Sequence, residues 1–422
     1  MKNYIQMENA SNGFFQANQY VLIRLPSQNI KFVQLIPDTT ISLGKFGSFK
    51  ASDIIGDPYG FTYAISADSK LSIVEDPNNF AHGPEEEQAM TGDKIDADGI
   101  QNLTTEQIEA LKCQGVSGEQ IIEQVAQGHS SFHFKTEFSK DKYLKRKKQK
   151  FLQQFTPTPI GANELIEYYQ DKDGGKIMGL SLECLALVLS QANIHPGGHY
   201  LVVDDTPGVL VAAMLERIGD QGSVTVVHES EHPNLSCFKF LPQAEAKLYS
   251  INWQELLHPD ETPTVEEIQG QALKDMKPSH RGQHLRAVQR QTDREEILKK
   301  AERGFDALIV ISSLHLPSLI SRVLNFVIGS APVVIYHPYK EHLVNLTLAL
   351  KQNVQLLAPT IMETKIRKFQ TIPGRIHPLM TSKNFGGYIL HGYRVYPDAN
   401  AAAVGHQMQR KKRKVAESDN SV

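Results

Sequence analysis

Seven consecutive residues, Asp204-Asp205-Thr206-Pro207-Gly208-Val209-Leu210, stand where a nucleotide-binding protein would place its ligand-gripping turn. A short apolar strand, Tyr200 to Val203, runs into them, and an amphipathic helix leaves them, continuing through Ile218 until Gly219 stops it. A second β-branched strand, Ser223 to Val227, ends at His228-Glu229. Strand, glycine turn, helix, strand is the opening unit of a nucleotide-binding α/β domain. A working turn of the form acid-x-Gly-x-Gly-x-Gly lets backbone N–H groups approach the ligand and aims the helix start at it. Only the middle glycine, Gly208, survives here. Thr206 and Leu210 replace the other two, Pro207 lacks a backbone donor, and Val209 and Leu210 put branched bulk where a ligand would sit. The expectation is an architecture retained and a pocket lost, with no cofactor held by the degenerate turn. Asp204 and Asp205 are read as caps of that turn rather than as ligand holders. Glu229, about 20 residues past the turn, is where a ribose-binding acid belongs. An exposed strand-end glutamate is the plainer reading of it, and the one preferred.

A different chemistry lies between Ser130 and Phe151, SSFHFKTEFSKDKYLKRKKQKF. Eight Lys or Arg between Lys135 and Lys150 meet only Glu137 and Asp141, and Phe132, Phe134, Phe138, Tyr143 and Phe151 are interleaved with them. A solvated linker helix is the bland reading. The sharper one is nucleic-acid contact, with aromatic residues anchoring one face while Lys135, Lys142, Lys145, Arg146, Lys147, Lys148 and Lys150 reach phosphates. Arg375, within TIPGRIHP, is a weaker candidate of the same kind. Near the chain end, Lys411, Lys412, Arg413 and Lys414 ahead of Val415 form a nuclear-localisation pattern, against the alternative of a plain solubilising tail. With a net charge of only −3, the rest of the chain is acidic, which suits a polyanionic partner at one basic strip and an address signal at the other. His280 and His284 have i,i+4 spacing, but no further ligands stand nearby, and no metal is expected.

These residues need elements to hold them, and 422 residues suffice for two domains. Residues 1–128 are expected to form a small β-rich, barrel-like domain, with short strands such as Asn18 to Leu25 and Ile30 to Leu35. A polar loop, Asp76 to Asp98, and two helices close it, one starting at Thr104-Thr105-Glu106-Gln107 and one over Gly118 to Ala126 capped by Ser117 and Gln120. Residues 129–160 read as a basic linker, 161–398 as a Rossmann-like α/β domain with a flexible insertion over 259–300, and 399–422 as a disordered basic tail. Within the α/β domain a helix is expected from His232 to Leu241, a third strand from Ala246 to Ile251, and a deeply buried strand from Phe305 to Ile311. Ile361 to Ile372 and Gly386 to Tyr396 should close the sheet as an antiparallel pair. No secretion signal is read at the N-terminus, and the longest apolar runs, such as Leu182 to Leu189, are too short to span a membrane. Cys113, Cys184 and Cys237 have neither metal spacing nor an even count, and read as reduced thiols of an intracellular protein.

The order of glycine-turn strand, FDALIVI strand and closing hairpin resembles the class I methyltransferases that use S-adenosylmethionine. FKTEFSKDKYLKRKKQKF and HYLVVDDTPGVLVAAMLERIG are similar to one branch, the non-catalytic subunits of the eukaryotic tRNA adenine-N(1)-methyltransferases that make 1-methyladenosine in the T-loop. The similarity covers nearly the whole chain. It implies a class I methyltransferase-like Rossmann domain with a degenerate cofactor turn, and a catalytically silent subunit that binds tRNA in the nucleus and scaffolds a catalytic methyltransferase paralogue. It further implies a heterodimer assembling to a heterotetramer, with S-adenosylmethionine on the catalytic partner and none on this subunit. Active siblings carry an aspartate-leucine-proline motif after the fourth strand, and here the corresponding positions read Ile311-Ser312-Ser313, with no carboxylate. The alternative is an active S-adenosylmethionine-dependent RNA methyltransferase with an unusual cofactor turn. A dinucleotide oxidoreductase lacks its glycines too, and a Ser-His-Asp hydrolase lacks a Gly-x-Ser-x-Gly elbow.

Overall fold

The computed structural model describes residues 13–74 and 107–398, apart from 67, 109, 112–115, 117, 130–131, 133–136, 242–246, 264–275, 354, 373–374, 381–384 and 397. The polar loop at 76–98, Ser117, Cys113 and the tail at 399–422 therefore lie outside the described residues.

The first domain is built from β1 (Tyr20–Arg24), β2 (Ile30–Gln34), β3 (Thr40–Ser42), β4 (Ser48–Lys50), β5 (Tyr63–Ile65) and β6 (Leu71–Ile73). Two helices follow, α1 (Gly118–Gln127) and α2 (Glu137–Phe151), and then β7 (Gln154–Pro159). β7 returns to the first domain and becomes the middle strand of an antiparallel sheet ordered β2-β1-β7-β5-β6, while β3 and β4 pair separately. Residues 129–160 are thus not a linker, because their last segment completes the sheet. Two prolines disguise it. Pro157 and Pro159 lie opposite Ile23 and Val21 of β1, whereas β5 pairs only with Gln154 and Phe155, so one flank of β7 is open where the prolines fall. Alternation along β1 joins the domains: Val21 and Ile23 enter a core with Phe49, Tyr63 and Phe155, while Leu22 is buried in the core of the second domain. Across the same boundary Phe32 stacks on Tyr168 at 4.1 Å, and Arg24 pairs with Glu164 and Glu167.

In the second domain α3 (Ala162–Lys172) and α4 (Leu182–Gln191) lead into β8 (His199–Asp204), α5 (Val209–Ile218), β9 (Ser223–His228) and β10 (Lys247–Asn252). Then come α6 (Trp253–Leu257), α7 (Pro278–Arg303), β11 (Ala307–Ile311), α8 (Leu316–Val323), β12 (Pro332–His337) and α9 (Lys340–Asn353). The last described elements are β13 (Leu356–Thr364), the hairpin β14 (Phe369–Ile372) and β15 (Arg375–Pro378), and β16 (Gly387–Arg394). The sheet runs β10-β9-β8-β11-β12-β16-β13, parallel except for β16, which is antiparallel to both neighbours. This is the doubly wound, class I methyltransferase-like arrangement expected. Its central strands β8, β11 and β12 are apolar because both faces are covered: Val202, Ile309 and Val334 enter one core, Val203, Val310 and Ile335 the other.

Two expectations need correction. His232 to Leu241 forms no α-helix, only a short 3-10 turn over Ser236–Phe240. The supposed insertion at 259–300 is, from Pro278, the continuous helix α7; it is polar on every side until Ile297, its one buried residue, so it shows no apolar period.

Candidate functional site

The strand order reverses between β8 and β11, and in an open α/β sheet a ligand sits in the crevice beyond the C-terminal ends of those two strands. Here the protein closes that crevice on itself. Asp205, expected to cap its own turn, instead reaches across to the end of β11. One of its carboxylate oxygens accepts hydrogen bonds from the Ser313 N–H (2.7 Å), the Ser313 hydroxyl (2.8 Å) and the Ser312 hydroxyl (3.0 Å). Its own N–H donates to the carbonyl of Ile311 at 2.8 Å. In the stretch Ile311-Ser312-Ser313 the two serines thus tie down the carboxylate of another strand end, and Ile311 and Ser312 are fully buried.

Asp204 does cap. Its Oδ1 accepts from the Thr206 N–H (2.9 Å) and hydroxyl (2.6 Å), while Oδ2 is out of solvent contact and has no hydrogen-bond partner among the described residues. Burial pushes its carboxyl up to about 7, against the opposing hydrogen bonds from Thr206 and the Val211 backbone. Gly208 begins α5 at φ +93°, in the left-handed region, which explains why this one glycine persists. Directly over it lies the 235–240 segment. A Cβ on Gly208 would stand 3.1 Å from both Leu235 and Phe238 and 3.3 Å from the Cys237 sulfur. The Cys237 N–H donates to the Pro207 carbonyl at 3.0 Å, and burial, with Asp204 alongside, pushes the buried Cys237 thiol up to about 12. Thr206, Val209 and Leu210 are fully buried. Protein therefore fills the space above the glycine, and the helix start faces side chains. Glu229 is exposed at the end of β9, where its backbone carbonyl accepts from Asn252 at 2.9 Å.

The basic strip folds into α2, which packs against α1 around Ile121, Ile122, Val125, Phe151 and Leu152. Its aromatic residues anchor it as expected, with Tyr143 edge-on to His129 at 5.2 Å and near Phe132 at 5.5 Å. Tyr143, Lys147 and Phe151 follow one another at i, i+4, i+8, and the Lys147 ammonium lies 5.0 Å and 5.7 Å from the two rings. Burial, reinforced by Lys150, pulls the Lys147 pKa down. Lys147 is thus committed to the aromatic face, whereas Arg146 and Lys150 are exposed and Lys148 is half-buried. Lys135, Lys411, Lys412, Arg413 and Lys414 lie outside the described residues, as do the side chains of Lys142, Lys145 and Arg375.

Sequence reading missed a cleft of about 420 Å³ at the ends of β9 and β10, lined by His228, His232, Asn252, Glu255 and Arg290. Burial holds His228 below the usual histidine range, and its Nδ1 lies 2.7 Å from the Ser230 carbonyl. Among the described residues no group of three or more His, Cys, Asp or Glu could hold a metal ion, and no helix is long and apolar enough to cross a membrane. Cys184 and Cys237 are free, buried thiols.

Comparison with known proteins places relatives beside this geometry. A family model described as the Gcd10p family matches residues 14–280. The tRNA (adenine(58)-N(1))-methyltransferase non-catalytic subunit TRM6 of Debaryomyces hansenii is 38% identical over 429 residues, covering 94% of this chain and 90% of that protein. Its counterpart from Schizosaccharomyces pombe is 30% identical over 447 residues, covering 95% and 96%. The crystal structure of the tRNA (m1A58) methyltransferase TrmI from Aquifex aeolicus is 13% identical, with a TM-score of 0.44 over 91% of this chain and 100% of that one. A likeness at that level adds nothing to what the strand order already gives.

Proposed function

This chain belongs to the Gcd10p family, and on that premise we propose that it is the non-catalytic, tRNA-gripping subunit of a tRNA adenine-N(1)-methyltransferase. The observation that carries the reading is the closed crevice between β8 and β11, where Asp205 binds Ser312 and Ser313 and Cys237 covers the turn. The covered turn, and the engagement of Asp205 by Ser312 and Ser313, support assigning S-adenosylmethionine to a catalytic paralogue. The exposed cations of α2, Arg146 and Lys150 foremost, position the tRNA by its phosphates while the partner performs the base chemistry.

A partner also needs a surface. β13 is an edge strand of the large sheet, and Leu357 on it faces Tyr393 of β16 as its register partner, both exposed. Ile366, Phe369, Ile376 and Met380, along and beside the β14–β15 hairpin, are exposed as well. An apolar, unpaired sheet edge of this kind suits a lasting protein partner, and we assign it to the catalytic paralogue. Two such heterodimers would make the heterotetramer, and Lys411 to Lys414 would address the assembly to the nucleus.

Calorimetric titration of S-adenosylmethionine tests the central point. The complex should bind one cofactor per heterodimer and this chain alone none. Micromolar binding by the chain alone, with cofactor located beside Gly208, would favour the active-enzyme alternative and overturn the reading.

A further inference from the structure

Helix α7 has two halves of different electrical character. From Asp293 onward it mixes signs, with Glu295 and Glu296 four residues ahead of Lys299 and Lys300, the spacing that stabilises a helix, and it buries Ile297. From Lys277 to Thr292 it carries Lys277, Arg281, Arg286 and Arg290 together with His280 and His284, and no Asp or Glu at all. No residue of this half is buried, and Leu285 is half exposed. Lys277 and Arg281 also stand at the end of the helix where the macrodipole is positive, and the first turn holds no acid. Solubility alone would be met by glutamine, and helix stability would be improved by glutamate. The composition therefore acts against the helix it belongs to, and such local conflicts concentrate where a sequence answers to function.

We infer that the N-terminal half of α7 is a second docking surface for the RNA backbone, separate from α2, with Arg281, Arg286 and Arg290 on phosphates. The inference rests on the reading of this chain as a tRNA-gripping subunit. Lys277 and Arg281, and again Arg286 and Arg290, are four residues apart, about 6 Å along the helix axis, so each pair presents two cations on one side. The Arg290 guanidinium lies 3.2 Å from His232 Nδ1 at the edge of the cleft beside β9 and β10. Glu231, Glu255 and Glu261 line that cleft and repel phosphate, so they bound the surface and direct a backbone along the helix.

The test uses the full chain in complex with its catalytic partner and unmodified tRNA, with binding measured across a salt series. Arg281→Gln, Arg286→Gln and Arg290→Gln together should weaken tRNA affinity at physiological salt by about tenfold or more and flatten the log–log salt slope by about 2 to 3. Glutamine keeps the helix propensity, so the melting temperature should hold or rise. Unchanged affinity and slope would overturn the inference. So would loss of partner assembly in this variant, because the surface would then be a protein interface. If neutralising α2 abolishes binding and neutralising α7 does not, the second surface falls while the proposed function stands. If the unmutated complex binds no tRNA, the functional reading itself falls, and this inference with it.

Discussion

The C-terminal ends of β8 and β11 and the outer faces of α2 and α7 treat charge in opposite ways. At the strand ends, Asp205 has three donors on one oxygen, Asp204 has two on the other side of the turn, and Cys237 covers the glycine between them. Along the helices, positive charges gather with few or no acids in their own sequence to answer them. A doubly wound sheet normally concentrates its chemistry at the first place. Here the turn residues Thr206, Val209 and Leu210 are buried and Asp205 is tied to Ser312 and Ser313, while the unanswered charge lies on the two helices. Under the proposed function, a silent subunit keeps its architecture and exchanges one kind of recognition for another: local, directional grip on a cofactor for diffuse, salt-sensitive grip on a polyanion.

The largest expected effect is on the helices. Replacing Lys145, Arg146, Lys148 and Lys150 by Gln should weaken tRNA binding by the assembled complex on the order of 100-fold at physiological salt, with a salt slope about 3 units shallower. Methylation should fall in parallel and subunit assembly should survive. Equal affinity in an assembled variant would return α2 to the status of a solvated helix and break the comparison at its first limb.

The second limb breaks or holds on Asp204. Its folded pKa of about 7 exceeds the ordinary 3.8 because burial disfavours the charge. Between those values the unfolded chain releases a proton that the folded chain keeps, so stability falls as pH rises from about 4 to 7 and is lower by a constant amount above. Asp204→Asn removes the titration. Relative to that variant, the native chain should lose about 2–4 kcal/mol between pH 4 and pH 8, measured by urea unfolding. Parallel stability curves for the two proteins would show the carboxyl to be solvated, and the turn open.

Much of this contrast was legible in the residues, and the failures have physical causes. Pro207, Val209 and Leu210 declared the turn unfit because each acts locally, through a missing donor or a branched side chain. The lid over it was not legible: Leu235, Cys237 and Phe238 arrive by tertiary contact, and the sequence around them suggested a helix rather than a 3-10 turn. β7 was hidden by Pro157 and Pro159, which are tolerated only because β5 leaves that flank unpaired. α7 was hidden by its polarity, since a helix that buries one residue in its length has no apolar period to read. In the sequence Asp205 resembles a local cap because its true partners are 107 and 108 residues away. Tyr143, Lys147 and Phe151, in contrast, are near neighbours on one helix face, and interleaving of aromatic and basic residues was enough to anticipate that the rings anchor the helix.

A smaller effect sharpens the account of the lid. Gly208 sits at φ +93° beneath Leu235, Phe238 and Cys237, so Gly208→Ala meets both an unfavourable backbone region and close side chains. The expected cost is about 1–2 kcal/mol of folding stability, because the neighbouring side-chain tips can yield by a few tenths of an ångström. tRNA affinity of the complex should not change. A loss of cofactor binding by this chain in the same variant would mean that the space above Gly208 opens, and the comparison would fail.

The smallest effect tests whether the crevice is closed by design of its hydrogen bonds or only by bulk. Ser313→Ala removes one of three donors from Asp205 and leaves the Ser313 N–H and the Ser312 hydroxyl in place. Because the acceptor is charged but two donors remain and Ser313 is exposed, the cost should be about 0.5–1 kcal/mol, with methylation by the complex unaltered. Ser313→Asp separates the two explanations more cleanly. It restores a carboxylate near the place where active siblings carry one, but sets it against Asp205, so like charges rather than a new site should result. The loss should exceed that of the alanine variant at pH 7 and shrink toward it as the pH falls below the carboxylate range, with no gain in cofactor binding. A Ser313→Asp chain that matched the alanine variant at every pH would show that Asp205 can turn away, and that the link between β8 and β11 is incidental to the closed crevice.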